Sequence, residues 1–133
     1  MNTSVPITQT PSGARWAGRI ISGLVVAFML FDLVGKVLVI QPVIDAQTHL
    51  GFPVGLSQML GAIEAVCVAL YLFPTTAPLG ALLLTAYLGG ATAIHVRIGD
   101  PWFFPVILGL LAWVGLILRD ERARALLPGR HVR

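Results

Sequence analysis

Three ionisable residues lie inside long apolar stretches of the sequence, and their side chains are of the types that perform acid–base chemistry. Asp32 and Lys36 occur four residues apart in the first apolar run, and Glu64 occurs in the second. An ionisable side chain at the centre of a bilayer costs about 2.5–3.5 kcal/mol, so such residues tend to face other protein groups and to be functional. Asp32 and Glu64 are therefore candidate catalytic residues, and Lys36 is a candidate pocket residue.

Each of these residues also has a structural interpretation. An acid four residues before a base favours a local ion pair on one helix face, which needs no function. Glu64 has no basic neighbour on its own helix, where it shares a face with Ser57, Gly61 and Tyr71. At roughly 13–14 Å from the helix start by helical rise, it must be protonated or paired across helices. A functional acid or base is the interpretation we favour over a structural hydrogen-bonding group.

Further polar residues occur in the third apolar run and just after it. His95 is a third candidate catalytic residue, and Tyr87, Arg97 and Asp100 are candidate pocket residues. A lone histidine is more often structural, and Arg97 also suits a lipid headgroup or a turn-forming pair with Asp100. Depth along the helices nevertheless places these residues in the same half of the membrane as the three described above. We predict that they converge on one polar pocket, with His95 facing the other ionisable residues.

The composition determines which elements must position these residues. The 133-residue chain is 56% hydrophobic and only 11% charged, and its mean hydropathy is +0.85. A soluble domain would carry about 25% charged residues, so the bilayer is the expected solvent. Four apolar runs predict an all-α, integral membrane four-helix bundle, since about 20 apolar residues span the hydrocarbon. The predicted spans are about 14–40, 55–73, 79–98 and 102–118.

The predicted domain organisation is a transmembrane domain at 14–118 between two tails. Residues 1–13 are expected to be disordered, and residues 119–133 to form a basic cytoplasmic tail with a brief helical turn before Pro128. The 41–54 connection is expected to contain a short interfacial helix. The third span is rich in small residues, which pack closely in lipid, so we expect it to lie centrally and to contact at least two other helices.

Charge predicts the orientation and excludes several function classes. Seven arginines lie at the start of the first span or after the last span, and the opposite side of the membrane carries only Arg97. This bias predicts a multi-pass protein of the cell (inner) membrane with both termini cytoplasmic, and it leaves no basic face for nucleic acid. The single cysteine, Cys67, cannot form a disulfide or redox pair, and His49, His95 and His131 are too dispersed for a metal site.

Three stretches of the sequence carry a family resemblance: GRIISGLVVAFMLFDLVGK, the segment from Gly61-Ala-Ile-Glu64 into LYLFPTTAPLGALLLTAYLGGATAIHVRIGDP, and the closing LRDERARALLP. They resemble the DoxX-like family of small bacterial four-helix membrane proteins. The resemblance covers about residues 16–128. It implies a membrane subunit associated with redox or quinone-linked systems, with a quinone as the ligand. Thiol chemistry of the wider fold is not implied, because it needs paired cysteines.

Three functions remain open from the sequence. The first is a membrane subunit or accessory protein whose pocket accepts a quinone head group beside a soluble or membrane redox partner. The second is an enzyme acting on a lipophilic small molecule, with Glu64 or Asp32 as base and His95, Tyr87 or Arg97 polarising an oxygen. The third is a small transporter, which the strong charge bias makes the least favoured.

Overall fold

The computed structural model describes residues 10–127, and every regular element among them is helical. Six α-helices follow one another, and a single 3-10 turn, Val54–Leu56, precedes the third. The helices are α1 (Ser12–Leu38), α2 (Gln41–His49), α3 (Ser57–Leu72), α4 (Ala77–Ile98), α5 (Phe103–Arg119) and α6 (Glu121–Ala125). The all-α prediction is confirmed.

The four long helices close into a ring of neighbours. Helix α1 packs on α3 and α5, and α4 packs on the same two helices from the opposite side. The buried core contains side chains from all four, including Met29, Tyr71, Leu84 and Leu116. This arrangement is a four-helix bundle in which consecutive helices are antiparallel, as short connections require. The expected contact of α4 with two other helices is confirmed, but α4 is one of four equivalent walls rather than a central helix.

The helix boundaries differ from the predicted spans by at most two residues. Helix α1 begins at Ser12 and ends at Leu38, because the chain uses Val39 and Ile40, both non-helical, to turn into α2. Ser12 and Gly13, which were predicted to be part of the disordered tail, belong to α1. Residues 1–9 lie outside the described part of the chain. Helix α4 begins at Ala77 and includes Pro78 in its first turn, where the missing N–H of proline leaves no bond unmade.

The segments that connect the long helices agree closely with the predictions from the sequence. The predicted interfacial helix is α2, and the predicted turn in the C-terminal tail is α6, although residues 128–133 lie beyond the described chain. Gly99 ends α4 with a φ of 76°, a left-handed conformation that glycine adopts without strain. Thr10 donates a hydrogen bond to Glu121 at 3.4 Å. The described chain thus begins and finishes at the same end of the bundle.

Close backbone approach fixes how the helices cross. A Cβ atom added at Gly80 would lie 2.2 Å from the backbone nitrogen of Tyr71, so α4 touches α3 there with no side chain between them. A Cβ added at Gly18 would lie 2.8 Å from the Gly115 carbonyl oxygen, which marks an equally tight crossing of α1 and α5. Small residues at such points are how helices associate without a hydrophobic driving force.

The small residues of α4 do not all serve packing. Gly89 and Gly90 have open space where a Cβ would project, and Ala86 and Ala93 are exposed. The buried face of α4 is instead formed by Ala77, Gly80, Ala81, Leu84 and Leu88. The small residues outside this stripe do not support a central position for α4, because only one helical stripe faces the core.

The outer surface of the bundle is apolar. Helices α1 and α4 are long and apolar enough to cross a membrane, and α3 and α5 are shorter apolar helices of 16 and 17 residues. Large apolar side chains point outward, with Phe31 78% and Leu24 67% exposed on α1 and Leu110 61% exposed on α5. Water-soluble monomers rarely expose contiguous apolar surface on this scale, whereas lipid tails accommodate it.

Candidate functional site

The ammonium group of Lys36 is the centre of a polar cluster inside the bundle. Its Nζ donates hydrogen bonds to Asp32 on the same helix, to Glu64 Oε2 at 2.7 Å and to Tyr87 Oη at 2.9 Å. A lysine ammonium has three donor protons, and each has an acceptor here. We call Asp32, Lys36, Glu64 and Tyr87 the lysine cluster; it joins α1, α3 and α4.

The two carboxylates of the lysine cluster differ in exposure and in hydrogen bonding. The Glu64 side chain is 0% exposed, whereas the Asp32 side chain is 38% exposed. Tyr87 donates a second hydrogen bond to Glu64 Oε2 at 3.2 Å. The other oxygen, Oε1, is buried and has no partner among the described residues. Such an orphaned acceptor is uncommon in folded proteins and often has a functional cause.

Local sequence features bring these side chains together. The shared face predicted for α3 is confirmed, since Ser57, Gly61, Glu64 and Tyr71 are all buried. A Cβ added at Gly61 would lie 3.3 Å from Lys36 Cβ, so the glycine lets α1 approach α3 where the lysine crosses. The predicted i,i+4 pair of Asp32 and Lys36 is also present on α1. Lys36 is not paired with Asp32 alone, however, because it also contacts Glu64.

The remaining predicted site residues lie outside the lysine cluster. His95 forms its hydrogen bond through Nδ1 with the carbonyl oxygen of Ala91 at 2.7 Å, on its own helix. Arg97 donates to the Leu50 carbonyl at 2.9 Å, beyond the end of α2. These bonds are local or directed to the connection, and neither residue is bonded to the lysine cluster among the described residues. That His95 faces the ionisable cluster stays a prediction.

Asp100 belongs with the connection as well. Its Oδ2 lies 2.8 Å from His49 Nε2 at the end of α2. The sequence suggested that Asp100 pairs with Arg97. Instead, α2 folds back over the α4–α5 turn and brings His49 into contact with the Asp100 carboxylate. The predicted single pocket therefore separates into the lysine cluster and a group of contacts that hold α2 against the end of α4.

A second buried network was not predicted from the sequence. Tyr71 is fully buried, and its hydroxyl donates to the Ala112 carbonyl at 2.7 Å. Since a tyrosine has one hydroxyl proton, Ser22 must be the donor in the 2.9 Å contact with Tyr71 Oη. The network joins α1, α3 and α5. The available signal was the small residue four positions before Ser22, Gly18, which marks a close helix crossing.

Arg119 extends this second network to the end of the bundle at which the described chain begins and finishes. Its Nη2 donates to the Tyr71 carbonyl at 2.9 Å, and its guanidinium stacks 4.8 Å from the centroid of the Tyr71 ring. Two cavities open at this end, both lined by Arg19 and Arg119. They lie away from the lysine cluster, whose members are bonded to one another and line neither cavity.

Comparison with known proteins identifies the fold family. The family model described as the DoxX-like family matches residues 20–115, which is more than half of the chain. The chain belongs to the DoxX-like family. The match includes the whole lysine cluster and the tight crossings at Gly80 and Gly115. No curated protein and no solved structure matches the chain. With its apolar exterior, this DoxX-like protein is a membrane protein in contact with lipid.

Proposed function

We propose that this DoxX-like protein is a membrane subunit or accessory protein of a quinone-linked redox system, in which the lysine cluster holds and transfers protons. The observation that carries the proposal is the unequal charge of the cluster. One ammonium, that of Lys36, is shared between the carboxylates of Asp32 and Glu64. With all three ionised, one negative charge is unbalanced, and a single proton would balance it. Glu64 Oε1, which has no hydrogen-bond partner within residues 10–127, is the atom where that proton is accommodated.

Reduction of a quinone needs protons, which the lysine cluster offers, and electrons, which it lacks. Reduction of a quinone to a quinol takes two electrons and two protons. The chain has one cysteine, Cys67, which is buried and has no second thiol to pair with. The electrons are therefore assigned to a partner oxidoreductase, and this chain supplies protons, one at a time, with replacement from water.

The exposure of the cluster supports access from the membrane. Asp32 is the partly exposed member, and its neighbours Phe28 and Phe31 are exposed on the same helix, at 39% and 78%. A lipophilic head group that approaches between the helices would meet Asp32 first, with Lys36 behind it. Glu64 lies deepest and communicates with the head group through the ammonium and the Tyr87 hydroxyl.

The proposal is tested on full-length protein purified from its own membranes in mild detergent. We expect an oxidoreductase to copurify, and quinone to be recovered by solvent extraction of the purified complex. Glu64→Gln and Asp32→Asn are expected to lower quinol-linked turnover of that complex by about 100-fold or more, the range of general acid–base contributions. Asp45→Asn is the matched control, because Asp45 is exposed on α2 and its side chain is bonded, within the described residues, only to Gln41. Unchanged turnover in Glu64→Gln, or a complex without quinone, would refute the proposal.

A self-contained enzyme acting on a lipophilic substrate is the second candidate. It is favoured by one observation: Tyr87 Oη contacts both Lys36 Nζ and Glu64 Oε2, so an acid and a base are joined through one hydroxyl. His95 and Arg97 lie outside this set, so the catalytic group would be Glu64, Tyr87 and Asp32. Turnover of a lipophilic substrate by the isolated chain, lost in Tyr87→Phe and without any redox partner, would favour this candidate. The transporter remains the least favoured.

We further propose that the protein is a multi-pass protein of the bacterial inner membrane with both termini in the cytoplasm. Seven arginines at the ends of the chain, against Arg97 alone on the other side, support this orientation. Green fluorescent protein fused after Arg133 is expected to fluoresce, and alkaline phosphatase at the same junction to be inactive. Fusions after Gly51, where the chain has crossed once, are expected to give the opposite pattern. Active phosphatase after Arg133 would reverse the assignment.

A further inference from the structure

The arginine end of the bundle, defined by Arg19, Arg119 and Arg122, contains two adjoining cavities. The larger has a volume of about 400 Å³ and is lined by the three arginines, Asp120 and the turn before α4. The smaller has a volume of about 190 Å³ and runs between α1 and α3, past Gly23 and Leu72. Both are lined by Arg19 and Arg119, so the two cavities adjoin at these side chains.

The larger cavity has unbalanced positive charge. Three arginines and one acid, Asp120, line it, and the Asp120 carboxylate already accepts the backbone N–H of Arg122 at 2.9 Å. Across residues 10–127 none of the three arginines forms an ion pair. The Nε of Arg119 is buried with no hydrogen-bond partner in the same part of the chain. An unpaired buried donor is costly, and negative charge in the adjoining cavity would offset part of that cost.

The smaller cavity is predominantly apolar and faces the lipid side of the bundle. Gly23, Val26 and Leu72 provide its apolar walls, while Ser22 and Tyr71 lie at its inner side. The Ser22 hydroxyl is already bonded to Tyr71 Oη at 2.9 Å, and the Tyr71 hydroxyl donates to α5. A Cβ at Gly23 would meet nothing within 4 Å. The space beside this glycine is therefore available to a hydrocarbon chain.

We propose that the arginine end is a binding site for a membrane amphiphile with an anionic phosphate headgroup. The phosphate binds the guanidinium groups of Arg19, Arg119 and Arg122, and one hydrocarbon chain lies in the groove beside Gly23. Arginine suits this role because its planar donors match phosphate oxygens in pairs. Basic cavities between helices near the cytoplasmic surface are typical positions for anionic lipid headgroups. This site is separate from the lysine cluster, and its occupancy does not depend on the proposed redox function.

The test uses the full chain in dodecyl maltoside and measures lipid binding by native mass spectrometry. The probes are dioleoyl phosphatidylglycerol, zwitterionic dioleoyl phosphatidylcholine and inorganic phosphate. We expect one phosphatidylglycerol to bind at least tenfold more tightly than phosphatidylcholine. Arg122→Gln is expected to weaken that binding about tenfold, which corresponds to about 1.4 kcal/mol. The side chain of Arg122 makes no hydrogen bond within the described residues, so this variant tests the site without disturbing the fold.

Matched controls separate the site from general electrostatics. Arg15→Gln removes an exposed arginine from the same end that lines neither cavity, and less than twofold weakening is expected. Gly23→Leu fills the groove and is expected to weaken phosphatidylglycerol binding about tenfold, whereas Gly89→Leu, equally open but on α4, is not. Equal weakening by Arg15→Gln and Arg122→Gln would overturn the proposal, as would equal binding of the two lipids. Binding of inorganic phosphate without phosphatidylglycerol would overturn the lipid assignment and identify a free anion as the ligand.

Discussion

Replacement of Lys36 by methionine is expected to lower the free energy of unfolding by about 3–5 kcal/mol, the range measured when one partner of a buried ion pair is removed. The Glu64 side chain is 0% exposed and is held by the Lys36 ammonium at 2.7 Å. Methionine has a similar length and is apolar, so the substitution removes charge with little change in volume. The carboxylate would then remain in the bundle with only the Tyr87 hydroxyl as donor. Reversible unfolding in mixed micelles of dodecyl maltoside and sodium dodecyl sulfate measures the loss.

Two further variants identify the cause of this loss. The double variant Lys36→Met/Glu64→Gln removes both charges, and we expect it to recover most of the stability, because the cost arises from an uncompensated buried charge. Asp32→Asn is expected to cost less than about 1 kcal/mol, since Asp32 is 38% exposed and partly solvated. A Lys36→Met protein as stable as the parent would show that the ammonium is not what holds Glu64 in place.

Replacement of Gly80 by alanine is expected to lower the free energy of unfolding by about 3 kcal/mol, at the upper end of overpacking costs. The added Cβ would lie 2.2 Å from Tyr71 N and 2.5 Å from Tyr71 Cα. These are backbone atoms, so no side-chain rotation can relieve the clash, and α4 must move away from α3. That movement would also disturb the Arg119 contact with the Tyr71 carbonyl.

The same substitution at Gly89 is the matched control for Gly80. Both glycines are on α4, and a Cβ at Gly89 meets nothing within 4 Å. Gly89→Ala is therefore expected to be neutral or to stabilise by up to about 1 kcal/mol, through the higher helix propensity of alanine. Unfolding in the same mixed micelles compares the two variants directly. Equal stabilities for Gly80→Ala and Gly89→Ala would contradict the close approach of α3 and α4.

The elements of this fold were predictable because their signals are local. Pro42, Pro78 and Gly99 mark turns through their own backbone preferences, and the periodicity of α3 placed Glu64 on its buried face. The spacing of Asp32 and Lys36 likewise requires no knowledge of other helices. Membership of the DoxX-like family was also readable from strings that lie within single helices or adjoining turns.

The partners of the polar residues were less predictable, because they depend on helix rotation. Distance along a helix predicted the common depth of Glu64, Lys36 and His95, but not which faces meet. Rotation is determined by backbone contacts such as that of Gly80 with Tyr71, and nothing local distinguishes Gly80 from the open Gly89. His95 consequently points to its own helix backbone, while Lys36 reaches Glu64.

The contacts of α2 give a second reason why the partners of polar residues were less predictable from the sequence. Its sequence predicted a short helix but not the direction in which it folds. By lying over the α4–α5 turn, α2 brings His49 to Asp100, and the residue after the helix, Leu50, provides a carbonyl for Arg97. Both residues of the expected turn pair thus have partners more than 40 residues distant in sequence, which pattern alone does not identify.

The unbalanced charge of the lysine cluster has an electrical consequence. Moving one elementary charge across a whole membrane changes its energy by about 2.3 kcal/mol per 100 mV. Glu64 lies about 10 Å from the first residue of α3 by helical rise, roughly a third of a 30 Å hydrocarbon layer. A proton that reaches Glu64 from that end would cross about a third of the voltage, worth about 0.8 kcal/mol per 100 mV. The equilibrium constant for protonation of the cluster would then change about fourfold for every 100 mV of membrane potential.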